Sequence, residues 1–170
     1  MRRAWIIAIF TFCIGLSGHV VAVAEQKSPE ALEKEFQKES NPRKQANLAK
    51  DMMTLRLQLL RARIATGTML EESSPELTAY QVALERLATA VHTADHTGTS
   101  KTAEQHLRDQ IHELDSVKMN VSAAERPYLE RIVARASVLR EEILYSLMHP
   151  PPGPKVKVSG ESARGEASPK

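Results

Sequence analysis

The chain has 170 residues with 23 basic and 21 acidic side chains, 42% apolar residues and one cysteine, Cys13. That length supports one domain with its own packed core, and one cysteine excludes a disulfide-stapled scaffold. Of seven glycines only Gly67 and Gly98 fall between Glu25 and His149, too few for a phosphate-cradling loop or a nucleophile elbow, so dinucleotide folds, P-loops and α/β-hydrolase sites are excluded.

In chain order, Arg2-Arg3 open a segment that is apolar from Ala4 to Leu16 apart from Thr11 and Gly15. A polar step at Ser17-Gly18-His19 leads to Ala22-Val23-Ala24 and then Glu25. A charged start, a short apolar run and small residues at Ala22 and Ala24 form a signal-peptide pattern, with cleavage before Glu25. Residues 1–24 are therefore expected to be a leader and the protein to be exported, periplasmic or secreted. The alternative is an uncleaved anchor, since Trp5 to Ala24 approaches the ~20 residues needed to cross a bilayer. His19 and the small-residue pattern favour cleavage, which leaves no stable membrane span. Cleavage also removes Cys13, Arg2 and Arg3, so basic and acidic side chains then balance. The basic character belongs to the precursor and does not point to nucleic acid.

Ser28-Pro29 reads as a helix cap followed by proline at the first helical position, opening a short helix to about Glu39 with Leu32 and Phe36 on one side. Asn41-Pro42 repeats the signal and opens a long helix to about Thr66. Its apolar line is Leu48, Met52, Leu55, Leu59 and Ala62, widened by Ala49, Met53, Leu60 and Ile64, and Gly67 follows as a terminator. Ser73, Ser74 and Pro75 open the next helix, with a capping box expected between Ser73 and Glu76. Leu77, Tyr80, Leu84, Leu87, Val91 and Ala94 then hold unbroken 3/4 spacing. Gly98 is expected to stop that helix and Thr99-Ser100 to cap another bearing Ala103, Leu107, Ile111, Leu114 and Val117. Ser122-x-x-Glu125 is a second capping box, ahead of a last helix with Leu129, Ile132, Val133, Ala136, Leu139, Ile143 and Leu147.

Short connections make sequential helices antiparallel neighbours. The fold class is thus all-α, an up-down antiparallel bundle of four long helices plus a short N-terminal helix, over residues 25–149. Pairs of helices also evoke a helical-repeat array, but no fixed-period repeat is present. Residues 150–170 begin Pro-Pro-Pro-Gly-Pro and continue rich in Ser, Gly, Lys and Glu, which reads as a disordered proline-rich tail.

Two groups of side chains are candidates for function. The helix from Pro42 carries Arg43, Lys44, Lys50, Arg56, Arg61 and Arg63 against Asp51, and a basic face of Arg43, Lys50, Arg56, Arg61 and Arg63 would suit an anion or an acidic partner. The opposing reading is a solvated face that pairs with acidic neighbours such as the Glu30 to Glu39 helix. His92, Asp95 and His96, with His106, Asp109 and His112 beyond Gly98, have ligand chemistry, but one H-x-x-x-H lacks the third ligand that a metal site needs. No metal, cofactor or catalytic residue is assigned.

Leu77-Thr78-Ala79-Tyr80-Gln81 resembles the L-T-x-x-Q motif of Spy/CpxP-like periplasmic chaperones and stress sensors, which are small, exported and helical. Those proteins usually carry the motif twice, and this chain carries it once. The leading expectation is a non-enzymatic exported protein that binds another macromolecule, a protein or envelope component, or scaffolds an envelope assembly. The resemblance implies a chaperone or stress sensor as the alternative, and a metal-binding bundle ranks third. The sequence sets no oligomeric state.

Overall fold

The computed structural model describes residues 27–149, and these form five α-helices with no strand among them. They are α1 (Pro29–Lys38), α2 (Pro42–Ala65), α3 (Pro75–Ala94), α4 (Thr97–Lys118) and α5 (Arg126–Met148). The leader, with Ala22, Ala24 and Glu25, and the tail 150–170 lie outside the described residues.

Local chemistry sets the helix starts. The Ala31 N–H donates to Ser28 Oγ at 3.2 Å and the Arg43 N–H to Asn41 Oδ1 at 2.9 Å, each satisfying a donor the helix leaves open. Prolines 29, 42 and 75 occupy first helical positions, where no backbone N–H is needed. Gly67 closes α2 at φ +72°, a left-handed conformation that glycine adopts without strain.

The break between α3 and α4 falls earlier than Gly98. Asp95 turns the chain with φ +40°, and His96 caps α4 by accepting the Thr99 N–H on Nδ1 at 3.2 Å. Gly98 lies in the first turn of α4, where a Cβ would come within 2.9 Å of the capping imidazole. The glycine therefore makes room for a histidine cap, and Thr99 and Ser100 are buried within the helix.

The Ser73–Glu76 box does not form. Ser74 is the N-cap residue, its Oγ accepts the Glu71 N–H at 2.9 Å, and Glu76 pairs with Arg63 at 3.1 Å. The Ser122–Glu125 pair forms with its polarity altered. Glu125 takes the Ser122 N–H at 2.9 Å, but the Ser122 hydroxyl also donates to the carboxylate, at 2.6 Å. The same carboxylate accepts the Leu70 N–H at 2.6 Å, tying the α2–α3 loop to the start of α5. These hydrogen bonds hold the buried Glu125 below the usual carboxylate range.

The bundle is assembled from two antiparallel hairpins, α2–α3 and α4–α5. They stack with α2 along α4 and α3 along α5; α3 also meets α4, whereas the backbones of α2 and α5 do not come close. Arg61 of α2 pairs with Glu113 of α4 at 2.8 Å, both near their helix C-termini, so these two run the same way. α1 lies on α2, and its Glu33 reaches Arg86 of α3.

The core draws on all four long helices, with Met53, Leu57, Leu60, Tyr80, Leu84, Leu87, Leu107, Leu114, Leu129 and Ile132 almost wholly enclosed. Tyr80 donates its hydroxyl to Gln110 Oε1 at 3.1 Å, which satisfies a buried phenol and a buried amide together. On α2 the expected Leu48, Ala49, Met52, Met53 and Leu60 are buried, but Leu59 and Ala62 are exposed, and Ala46 and Leu57 are buried in addition. Three neighbours, α1, α3 and α4, cover this helix, so its buried arc is wider than a single stripe.

Candidate binding crevice

The basic residues of α2 do not gather on one open face. Arg61 is held by Glu113, and Arg63 is half-buried, bonded to Glu76 and to the Met69 carbonyl at 3.3 Å. Hydrogen bonds are the main cause that lowers the pKa of Glu30 and, through Arg86, of Glu33 on α1, and the charge of nearby Arg56 adds a smaller lowering to both. Lys50 is half-buried beside His106 of α4. Arg43 is exposed at the start of α2, without an ion pair among the described residues. At 100° per residue Arg43, Lys50 and Arg61 share one line, and Arg56 and Arg63 fall on the far side.

The histidines are dispersed as well. His96 is committed to its cap, His92 is exposed near the end of α3, and His106 is turned inward with Nε2 buried and unbonded. Burial, and then the charge of Lys50, push the His106 pKa down to about 4, partly opposed by Asp109. Among the described residues no three His, Cys, Asp or Glu side chains are grouped to hold a metal ion.

A different feature gathers polar and apolar groups together. α3 and α5 lie side by side without closing, and two grooves of about 710 and 680 Å³ run along α3, meeting at Thr89. In the first, Phe36, Val82 and Ala90 give apolar surface, and Thr78, Gln81 and Gln45 give hydrogen-bonding groups. In the second, Val91, Leu139 and Ile143 meet His92, Asp95, Glu142 and Ser146. From Thr78 to Asp95 the crevice follows α3 for ~25 Å.

Ion pairs brace its walls. Arg135 of α5 binds Glu85 of α3 through two hydrogen bonds, at 2.7 and 2.8 Å, holding Glu85 below the usual carboxylate range. Arg86 binds both oxygens of Glu33 and lies 4.9 Å above the Phe36 ring, fixing α1 as a rim. Val82 stays 44% exposed on this surface, an apolar side chain that no neighbouring element covers.

The crevice was not visible as a site in sequence. Its floor combines the solvent side of α3 with residues of α1 and α5 that are remote in the chain, and the available signal was Val82 on an otherwise polar face. No helix among the described residues is long and apolar enough to cross a membrane. No protein-family model, curated protein or solved structure matches this chain.

Proposed function

We propose that this is an exported, non-enzymatic binding module of the cell envelope, and that the α3–α5 crevice holds a segment of its partner. The observation that carries this reading is the open, braced crevice: ~25 Å of mixed apolar and hydrogen-bonding surface. Such a length accommodates about four turns of helix or seven extended residues, the scale of peptide recognition by grooves. Export rests on the leader sequence and its A-x-A site before Glu25. Of the basic side chains on α2, Arg43 is the one left available to an anionic partner at that end of the bundle.

The test is capture from native envelope with the wild type, Val82→Lys in the crevice and Lys101→Glu outside it. Wild type and Lys101→Glu should retain the same partner, and Val82→Lys should lose it. Equal capture by all three would overturn the assignment of the crevice.

A chaperone-like reading has one observation in its favour: Thr78 and Gln81, the polar members of the L-T-x-x-Q segment, both line the first groove. This reading requires the protein to suppress aggregation of an unfolding test protein, and Val82→Lys to weaken that effect. No suppression at molar excess would remove it.

A further inference from the structure

We propose that the outer face of α5 pairs with the same face of a second copy of this chain, as an antiparallel two-fold dimer centred on Val138. The surface is distinct from the crevice, which is walled by two helices of one chain.

The face is an unpartnered helical stripe. The backbones close to α5 are those of α4 and α3. At 100° per residue, Arg131, Ala134, Glu142 and Tyr145 lie within about 40° of Val138 around the helix, and Glu141 within about 60°. All of them are exposed. Val138 keeps 47% of its surface open and Tyr145 65%, too much for side chains with a neighbour over them. Tyr145 is stacked on His149, with ring centroids 4.4 Å apart, so an ordered aromatic surface stands at this end of the stripe.

Charge selects a second copy as the occupant and sets its direction. Arg131 and Arg135 precede Val138, and Glu141 and Glu142 follow it. A two-fold axis through Val138 sets Arg131 level with Tyr145 of the second copy, Ala134 with Glu142 and Arg135 with Glu141. Basic and acidic halves then meet twice in each dimer. A parallel pair would instead set every carboxylate against its own copy.

The arginines have donors to spare for this contact. Arg131 binds Glu72 through Nη1, and Arg135 binds Glu85 through Nε and Nη2. Glu141 and Glu142 form no ion pair among the described residues, and Glu142 acts on Arg135 as a neighbouring charge. The remaining guanidinium N–H groups of one copy therefore face the unmatched carboxylates of the other. Arg131 already lies 5.4 Å from the Tyr128 ring, and Tyr145 of the second copy offers it another ring. From Arg131 to Tyr145 the stripe runs ~21 Å, about four turns. One helix pair of that length is a small interface, so the dimer is weak and reversible.

The chain from Glu25 to Lys170 contains no cysteine, so single introduced cysteines report the geometry. Under mild oxidation Val138→Cys should cross-link into a covalent dimer, because the axis brings that position against itself. Arg131→Cys alone and Tyr145→Cys alone should stay monomeric, and a mixture of the two should give a cross-linked dimer of one copy of each. Sedimentation of the unmodified chain should show a mass that rises with concentration. Val138→Lys should remove that rise while leaving the helix melt unchanged, since the position is exposed.

Cross-linking by Tyr145→Cys alone would mark a parallel pair and overturn the proposal. So would a Val138→Cys yield no higher than that of Lys101→Cys on α4, or a chain that stays monomeric up to about 1 mM. A monomer that captures an envelope protein through Val138 would assign the stripe to a different partner and overturn it as well. Capture lost in Val82→Lys is independent of all these outcomes, because Val82 lies on α3 in the first groove.

Discussion

α3 makes two contacts along its length that end in opposite ways. Against α2 it forms the most extensive seam in the molecule, and against α5 it leaves a crevice. The seam side carries Leu77, Leu87 and the buried Ala83, with Leu84 and Ala90 at its border with the first groove, and α2 contributes Ala46 and Ala49. In the antiparallel register set by Arg63 and Glu76, Ala49 lies level with Ala90, so small side chains let the backbones approach. The α5 side carries Thr78, Gln81, Glu85 and Thr89, and the paired Arg135 and Glu85 fill the space between the helices with two long side chains. Small apolar residues close an interface. Long charged pairs prop one open.

The largest expected effect comes from breaking the closed side. Leu84 is fully enclosed, and Leu84→Asp would leave an unpaired charge there at a cost of several kcal/mol, comparable with a domain's whole stability of ~5–15 kcal/mol. Circular dichroism of this variant should show loss of cooperative helix melting. Thr89→Asp, on the exposed crevice side, should melt close to wild type. Matching melts for the two variants would show that the two sides of α3 are not distinct.

A second, smaller effect concerns the stack of α2 on α4, where His106 is partly buried and neutral next to Lys50. Its folded-state pKa of about 4 lies below the ordinary 6.5, so the unfolded chain binds the proton first as pH falls. This contribution to stability is full above pH ~6.5 and is lost progressively down to pH ~4. The loss is at most about 3 kcal/mol, and nearer ~1–2 kcal/mol because the ring is only partly enclosed. Urea unfolding at pH 7 and pH 4.5 should therefore show a smaller fall in stability for His106→Leu than for wild type. An identical fall would mean that the ring titrates as it does in water, and that this seam is as open as the crevice.

The smallest effect belongs to the strut itself. Arg135 and Glu85 are each about half exposed, with side-chain exposures of 40% and 55%. A double-mutant cycle on Arg135→Ala and Glu85→Ala should give a coupling below ~1 kcal/mol. A coupling of ~2 kcal/mol or more would place the pair in a desolvated interface, and the crevice would then count as closed core.

The helices were legible in sequence because their determinants are local. Prolines 29, 42 and 75 and Gly67 act through their own backbone angles, and the 3/4 spacing of α3 and α5 depends on the helical period alone. The α3–α4 boundary was misplaced because a capping histidine is read less readily than serine or threonine, and Gly98 serves the space needs of that cap. On α2 Leu59 and Ala62 were misassigned and Ala46 and Leu57 missed, because three neighbours, rather than one core, select what it buries.

Sequence by itself therefore determined that the chain between Pro29 and Met148 is helical, and it determined most helix starts and most of the apolar faces. Tertiary structure decided which helices lie beside one another, that α2 runs along α4 with its backbone away from α5, and how the charges are distributed. Arg61 and Arg63 appeared as members of one basic helix, and each is taken up by a carboxylate from a different neighbour. The crevice has the same origin, since Phe36, Val82 and Arg135 meet only after the hairpins stack. Helical periodicity is a property of residues a few positions apart. A groove is a property of surfaces brought together from across the chain, and its shape depends on the side chains that keep two helices from closing.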